Sequence, residues 1–187
     1  GVTGVQTCAL PIFKAVKMVR RGNRMVVIDA RTGKQVAARY PAIAATRMFE
    51  SPFGSGRAWW SADGSTAYFV EVERGERTAR VVAMDAATGT TRTVFEESAP
   101  HYVELGSKVH FRPALVPLPA TDELVWYSER SGWAHLYLYD LETGALKRQL
   151  TGGDWLVRDV LAVDAARREV WFTRAGTVPE RNPYYRE

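Results

Sequence analysis

The chain has 187 residues, 46% of them apolar and 11% aromatic, with 25 basic side chains against 21 acidic ones and a net charge of +4. Such a composition belongs to a globular domain with a real core and excludes a disordered chain. No run approaches the ~18 apolar residues of a membrane helix, so no membrane segment is expected.

Residues 1–12, GVTGVQTCALPI, read as translated sequencing adapter, because the adapter end GCT CTT CCG ATC gives Ala9-Leu10-Pro11-Ile12 in frame. They are set aside from fold reasoning as a scar would be. Cys8 is the only cysteine, so disulfides, zinc–cysteine sites and thiol catalysis fall away with it. The densest basic cluster follows, at Lys14, Lys17, Arg20, Arg21 and Arg24. A nucleic-acid surface would interleave such cations with stacking aromatics. Here the aromatics sit inside strand patterns, so no nucleic-acid partner is expected.

From residue 25 onward the chain repeats itself. Three segments share an apolar strand, Asp, two residues, Thr-Gly and a second strand: 25–36 (MVVIDARTGKQV), 81–94 (VVAMDAATGTTRTV) and 136–150 (LYLYDLETGALKRQL). Their aspartates, Asp29, Asp85 and Asp140, are 56 and 55 residues apart. Asp accepts the backbone hydrogen bonds that start a turn, and Gly takes the positive φ that closes it. Each segment is therefore a hairpin, and a strand-filled period of this size predicts a β-propeller.

Four strands fit each repeat. The middle one predicts strands at 57–61, 67–73, 78–85 and 91–95, with 62–65 and 74–77 as turns. The next predicts 110–118 (interrupted by Pro113 and Pro117), 124–128, 135–140 and 147–150. Residues 13–40 supply only the later strands of a first blade, and 157–164 and 169–174 the first two strands of a last one. Residues 40–55 and 99–108 are the expected loops. The fold class is thus all-β: an incomplete propeller of four-stranded antiparallel blades, two full ones with a partial blade at each end.

At residues 128–144, SERSGWAHLYLYDLETG, the chain resembles the N-terminal propeller of the dipeptidyl-peptidase IV group of prolyl oligopeptidase-like serine peptidases. Ser128, Glu129, Arg130, Gly132, Trp133, His135, Leu136, Tyr137, Tyr139 and Asp140 carry the resemblance, with support from 155–159 (WLVRD), 170–173 (VWFT) and Asn182-Pro183-Tyr184-Tyr185. It implies that residues 13–187 are part of a propeller that sits over a C-terminal α/β-hydrolase domain bearing Ser, Asp and His. It further implies an enzyme that releases short peptides from a substrate N-terminus, often after proline. The expected partners are that hydrolase domain, peptide substrates and a second copy in a homodimer of the full-length enzyme. No serine here has glycines at both −2 and +2, so no G-x-S-x-G elbow is present and no catalytic residue is expected. The competing reading is a free-standing propeller that serves as an interaction scaffold.

Propellers of this group hold the substrate amine with carboxylates, through charge-assisted hydrogen bonds. Glu96-Glu97 is the tempting pair, but adjacent strand residues point to opposite faces, and a solvated strand end is the expectation. Glu129 and Arg130 are the substrate-binding candidates. Their alternative role is a blade-locking hairpin, with Arg130 on a neighbouring blade's carboxylate and Trp133 packed between blades. His101, His110 and His135 have no metal-ligand spacing, so neither metal nor cofactor is expected, and His135 reads as a packed histidine. The six tryptophans, Trp59, Trp60, Trp126, Trp133, Trp155 and Trp171, read as inter-blade core.

An open array of blades leaves one blade face and several strand edges bare. The chain produced alone is expected to aggregate or to be marginally stable. Sedimentation and thermal melting check this, and a monomer with one cooperative transition would contradict it.

Overall fold

The computed structural model describes residues 18–19, 22–43, 56–106 and 113–176. The chain is all-β apart from one 3-10 turn at Pro119–Thr121 among the described residues. Strands β1 (Met18–Val19) and β2 (Gly22–Asn23) form a short pair. β3 (Val26–Ile28) and β4 (Gln35–Ala37) form the described part of a first blade. β5 (Ala58–Trp60), β6 (Thr66–Val72), β7 (Thr78–Asp85) and β8 (Thr91–Ser98) make a complete antiparallel blade in sequence order. β9 (Val116–Leu118), β10 (Glu123–Ser128), β11 (His135–Asp140) and β12 (Leu146–Gln149) make a second complete blade. β13 (Leu156–Asp164) and β14 (Glu169–Ala175) begin another. The predicted two full blades and flanking partial ones are therefore present.

Side-chain alternation builds the layers. In β6 and β7, Ala67, Phe69, Val82 and Met84 pack toward Met25 and Val27 of the first blade. The intervening Tyr68, Val70, Val81 and Ala83 pack toward Leu124, Trp126, Tyr137 and Tyr139 of the next blade. That blade's opposite face, Val125, Tyr127, Leu136 and Leu138, packs toward Val157, with Val170 and Phe172 of the last pair half-buried against it. Phe69, Leu124, Trp126 and Leu136 are fully buried. Each such side chain contributes about 1.5–3 kcal/mol relative to exposure, so the blade seams carry most of the core energy.

The Asp-x-x-Thr-Gly turns do two jobs. Within each turn the aspartate caps the backbone: Asp140 Oδ1 accepts from Thr143 N and Thr143 Oγ1, both at 2.8 Å, and Gly144 N donates to Asp140 O at 2.9 Å. Asp85 repeats this with Thr88. Thr143's bonds, backbone first, hold the Asp140 carboxyl below its usual range. The second job is docking. Gly89 and Gly144 have φ of 74° and 76°. A Cβ on Gly89 would overlap the carbonyl oxygen of Ala37 in β4, and one on Gly144 that of Val94 in β8. The Asp85 and Asp140 turns thus seat on the fourth strand of the blade before them. Cross-blade hydrogen bonds secure the seat: Arg39 N to Gly89 O at 2.7 Å, Thr91 Oγ1 to Arg39 O at 2.9 Å, and Arg92 Nη2 to Leu141 O at 2.8 Å.

Several expectations need correction. β8 runs to Ser98 rather than ending at Phe95, which moves Glu96 and Glu97 into the strand. The predicted strand at 110–118 is described only from Pro113, and within that part is the short β9; Pro117 is tolerated because β9 pairs on one side only. Trp133 is exposed, not packed between blades, and so is Trp171. Trp133 lies in the turn just before β11, and Trp171 alternates with Phe172 along β14 and so takes the opposite face. His110 and the span 44–55 lie outside the described residues.

Docking predicts an asymmetry between two glycines of positive φ. Gly144→Ala should cost well over 2 kcal/mol in the intact protein, because strain and overlap with Val94 add. Gly132→Ala, with φ of 90° and nothing within 4 Å of its Cβ position, should cost about 1 kcal/mol. Denaturant titration of the two variants checks the difference.

Candidate functional site

Antiparallel blades send successive connections to alternate ends. One end holds short turns at 61–65, 85–90, 119–122, 140–145 and 164–168. The other holds the turn at 73–77, the long connection from β8 to β9, the 129–132 turn and the loop 150–155. A cleft of about 450 Å³ opens at this second end, and Glu97, His101, Tyr102, Glu104, Glu129 and Arg130 line it. Tyr102 and Trp133, two of the exposed large apolar side chains, belong to the same end. Both sequence-predicted residues, Glu129 and Arg130, therefore sit in one concave place.

Glu97 is the centre of that place. Its Oε2 accepts from Trp126 Nε1 at 2.7 Å and from Arg130 Nη2 at 2.5 Å, and its Oε1 accepts from Ser128 Oγ at 2.5 Å. The three donors all belong to the following blade. With the Glu97 side chain only 11% exposed, this is a charge-assisted bridge across a seam rather than a surface ion pair. The expected solvated strand end is thus overturned for Glu97: the longer β8 carries it into the seam. Glu96, its neighbour, points the other way and bonds Arg80 Nε at 2.5 Å. Two carboxylates on opposite faces cannot converge on one ammonium, so Glu96-Glu97 is no amine clamp.

Arg130 is held on several sides. Nε donates to Ser128 Oγ at 2.9 Å and Nη1 to Tyr139 Oη at 2.6 Å. Its guanidinium carbon lies 4.5 Å from the Tyr137 ring centroid, within cation–π range. Burial disfavours its charge, yet the Tyr139 hydrogen bond and the Glu97 carboxylate outweigh that and raise its pKa. Ser128 Oγ gives its one proton to Glu97 and takes bonds from Arg130 N and Nε, which fills its capacity. Tyr139 stacks on Phe95 at 3.9 Å, which fixes the hydroxyl that Arg130 uses. The blade-locking reading of Arg130 holds, with Glu97 as the neighbouring carboxylate. Glu129 heads the turn: it is exposed, and its carbonyl accepts from Gly132 N at 2.9 Å.

Other seams have polar pins too. Tyr40 Oη donates to Glu71 at 2.5 Å between the first two blades. Buried Glu123 binds Lys147 Nζ at 2.7 Å in its own blade and Arg168 in the next. The Arg168 bond, then those of Lys147 and Thr121, overcome burial and hold the Glu123 carboxyl at about 2. His135 is buried, with Nε2 3.0 Å from Gly153 O and Nδ1 3.1 Å from Thr151 Oγ1. Since a carbonyl only accepts, Nε2 carries the proton there, and the ring is a packing element as expected. No cluster of three metal-ligating side chains occurs among the described residues.

Comparison with known proteins fits this architecture. Residues 24–186 match the family described as the dipeptidyl peptidase IV (DPP IV) N-terminal region. The chain belongs to that family. A probable dipeptidyl peptidase 4 of Aspergillus flavus is 27% identical over 119 residues, which cover 62% of this chain and 15% of that protein. A dipeptidyl peptidase 4 of Arthroderma otae is 46% identical over 46 residues, 25% of this chain and 6% of that protein. The chain thus spans less than a fifth of the length of these relatives. Among solved structures, TolB from Acinetobacter baumannii superposes with a TM-score of 0.50 at 17% identity, over 85% of this chain and 33% of that one. The tricorn protease gives 0.51 at 15% identity, over 83% and 13%. These two likenesses show the propeller fold. The chain is a peptidase-associated propeller of DPP IV type.

Neither Glu97 nor Tyr139 was legible as a partner of Arg130. Glu97 lies 33 residues away in another blade, and only its place in the charged end of β8 could have hinted at it.

The Glu123 pin predicts a pH dependence. A carboxyl held at about 2, against 4.5 unperturbed, adds stability that is complete above pH 4.5 and is lost as pH falls to about 2. Since Arg168 and Lys147 are about half exposed, the contribution is on the order of 2 kcal/mol. Denaturation of the intact protein from pH 6 to pH 2 should show Glu123→Gln less stable at pH 6 and shallower in its acid decline.

Proposed function

We propose that this propeller gates access to, and helps recognise the peptide N-terminus for, a C-terminal α/β-hydrolase domain of a serine exopeptidase. The observation that carries the reading is the polar cleft into which Glu129 and Arg130 both open, at the end of the blades that bears the 129–132 turn. The opposite end presents the capped turns of Asp85 and Asp140 and a cleft of about 460 Å³ whose Lys147 and Arg168 are already engaged by Glu123. Family membership supports a peptidase context. The names of the Aspergillus and Arthroderma relatives support removal of dipeptides.

The chemistry suits a peptide terminus. Glu104 and Glu129 are carboxylates on the rim and can attract an ammonium group, while Arg130 supplies donors for carbonyl oxygens. Glu129 is the residue assigned to the amine, because it is exposed and heads the turn. Ser98 lines the cleft, and the hydroxyl of Ser128 is fully buried and saturated.

Two measurements test this. The coding sequence beyond codon 187 should encode an α/β-hydrolase domain with a G-x-S-x-G elbow; a stop codon after further Asp-x-x-Thr-Gly repeats would favour the scaffold reading. In the intact enzyme, Glu129→Gln should raise KM for a dipeptidyl p-nitroanilide about five- to tenfold with kcat nearly unchanged, as expected for loss of one charged hydrogen bond. An unchanged KM would remove Glu129 from the site.

A further inference from the structure

We propose that a second copy of this chain completes the blade that β13 and β14 begin, by inserting its β3–β4 hairpin as the third and fourth strands of that blade. The inference concerns how the 187-residue chain associates. It goes beyond the peptidase reading and does not rest on it.

The partial blades at the two ends are complementary halves. β13 and β14 hold the first two strand positions of a blade, and β3 and β4, joined by the Asp29 turn, hold the last two. Among the described residues β14 pairs only with β13 and β3 only with β4, so each presents one bare edge. Such an edge is a template for a further strand. The two complete blades set the register that joins them. In those blades the first residue of the second strand faces the turn aspartate: Thr66 faces Asp85, and Glu123 faces Asp140. The same rule pairs Glu169 with Asp29 of the second copy, Val170 with its Ile28, Trp171 with its Val27 and Phe172 with its Val26.

That register puts each side chain on a matching face, since cross-strand partners share one. Val170 and Phe172 are half-buried on the face that packs with Leu136 and Leu138, and the half-buried Val26 and Ile28 of the second copy extend that face. Trp171, 46% exposed, comes to lie beside Val27 of the second copy, which already packs with Phe69 and Val82 of its own next blade. The turn has a seat as well. Gly89 sits on β4 and Gly144 on β8, whereas β12 carries no such turn among the described residues. Conversely, Gly33 of the Asp29 turn, with φ of 72°, has nothing within 4 Å of its Cβ position. Arg148 occupies in β12 the place of Arg92 in β8, for each faces the residue two before its blade's aspartate, Leu138 and Ala83. Arg92 donates to the carbonyl of Leu141, the residue after the next turn's aspartate. Arg148 has no side-chain bond among the described residues and lines the cleft of about 460 Å³ with Leu138 and Leu150. Its acceptor by the same rule is the carbonyl of Ala30 of the second copy. Two copies joined at both ends close a ring of four complete and two shared blades, within the range of propellers, so the contact does not propagate.

The test is sedimentation of the 187-residue chain and of two variants, each checked for an unchanged β spectrum by circular dichroism. The unmodified chain should sediment at twice the monomer mass. Trp171→Arg puts a charge into the new seam at a position that is exposed in the single chain. Gly33→Asn keeps the positive φ, which Asn tolerates, but its Cβ blocks the seat. Each variant alone should dissociate, with Kd raised about tenfold or more. An equimolar mixture should regain pairs joined at one junction, because the intact β3–β4 hairpin of the first variant fits the intact β14 edge of the second. Arg148→Ala, at an exposed position, should raise Kd about tenfold through loss of one charged hydrogen bond, and it decides the matter if either other variant loses its spectrum. A monomeric unmodified chain overturns the proposal, as would follow if residues after Ala175 fill the edge from within the chain. A dimer or larger species that the variants leave unchanged overturns it too, and so does a mixture that stays monomeric.

Discussion

Every blade here has two apolar faces and no way to bury either one alone. That constraint comes from the period-2 alternation of β6, β7, β10 and β11, whose side chains emerge equally on both sides. Burial is achieved only when the face of one blade meets the complementary face of the next. Phe69 and Met84 are covered by Met25 and Val27, and Trp126 and Tyr139 by Val81 and Phe95. The seams are thus the energetic units of the structure, and the strands serve to present them.

Apolar faces match broadly and do not by themselves fix how two blades align. Alignment comes from shape and polar chemistry at the ends of the seams. At one end the glycines of the Asp85 and Asp140 turns fit against a carbonyl of the preceding fourth strand, where any side chain would collide. Toward the other end a buried or half-buried carboxylate takes donors from the facing blade: Glu71 from Tyr40, and Glu97 from Trp126, Ser128 and Arg130. A misaligned seam would leave Glu97 buried without its donors, which costs several kcal/mol. The pins therefore select one register in the same way that a buried polar residue selects register in a coiled coil.

The functional reading grows from the same pins. Arg130 is fixed because it locks a seam, and it lines the cleft on which the proposed function rests. Glu129 and Arg130 were legible in the sequence as a polar turn between two strands, and their grouping in one cleft follows from that turn. Glu97 was legible only as half of a charged pair. Its direction depended on where β8 ends, and local patterning placed that end three residues too early because Glu96, Glu97 and Ser98 carry no apolar alternation. Trp133 misled for a related reason: an aromatic beside a strand is usually core, but this one belongs to the exposed turn before β11.

What the sequence by itself determined was everything set by short-range rules. The alternation of apolar residues made the strands, Asp and Gly made the turns, a spacing of 55–56 residues between Asp29, Asp85 and Asp140 made the blades, and the SERSGW segment pointed to the DPP IV-type family. Tertiary structure decided which charged groups meet. Glu97 and Arg130, 33 residues apart, and Glu123 and Arg168, 45 apart, come together only because flat sheets stack face to face at a fixed offset. No local propensity encodes that offset. It is a property of two surfaces at once, set by glycines that admit a neighbour's carbonyl and by carboxylates that must find their donors.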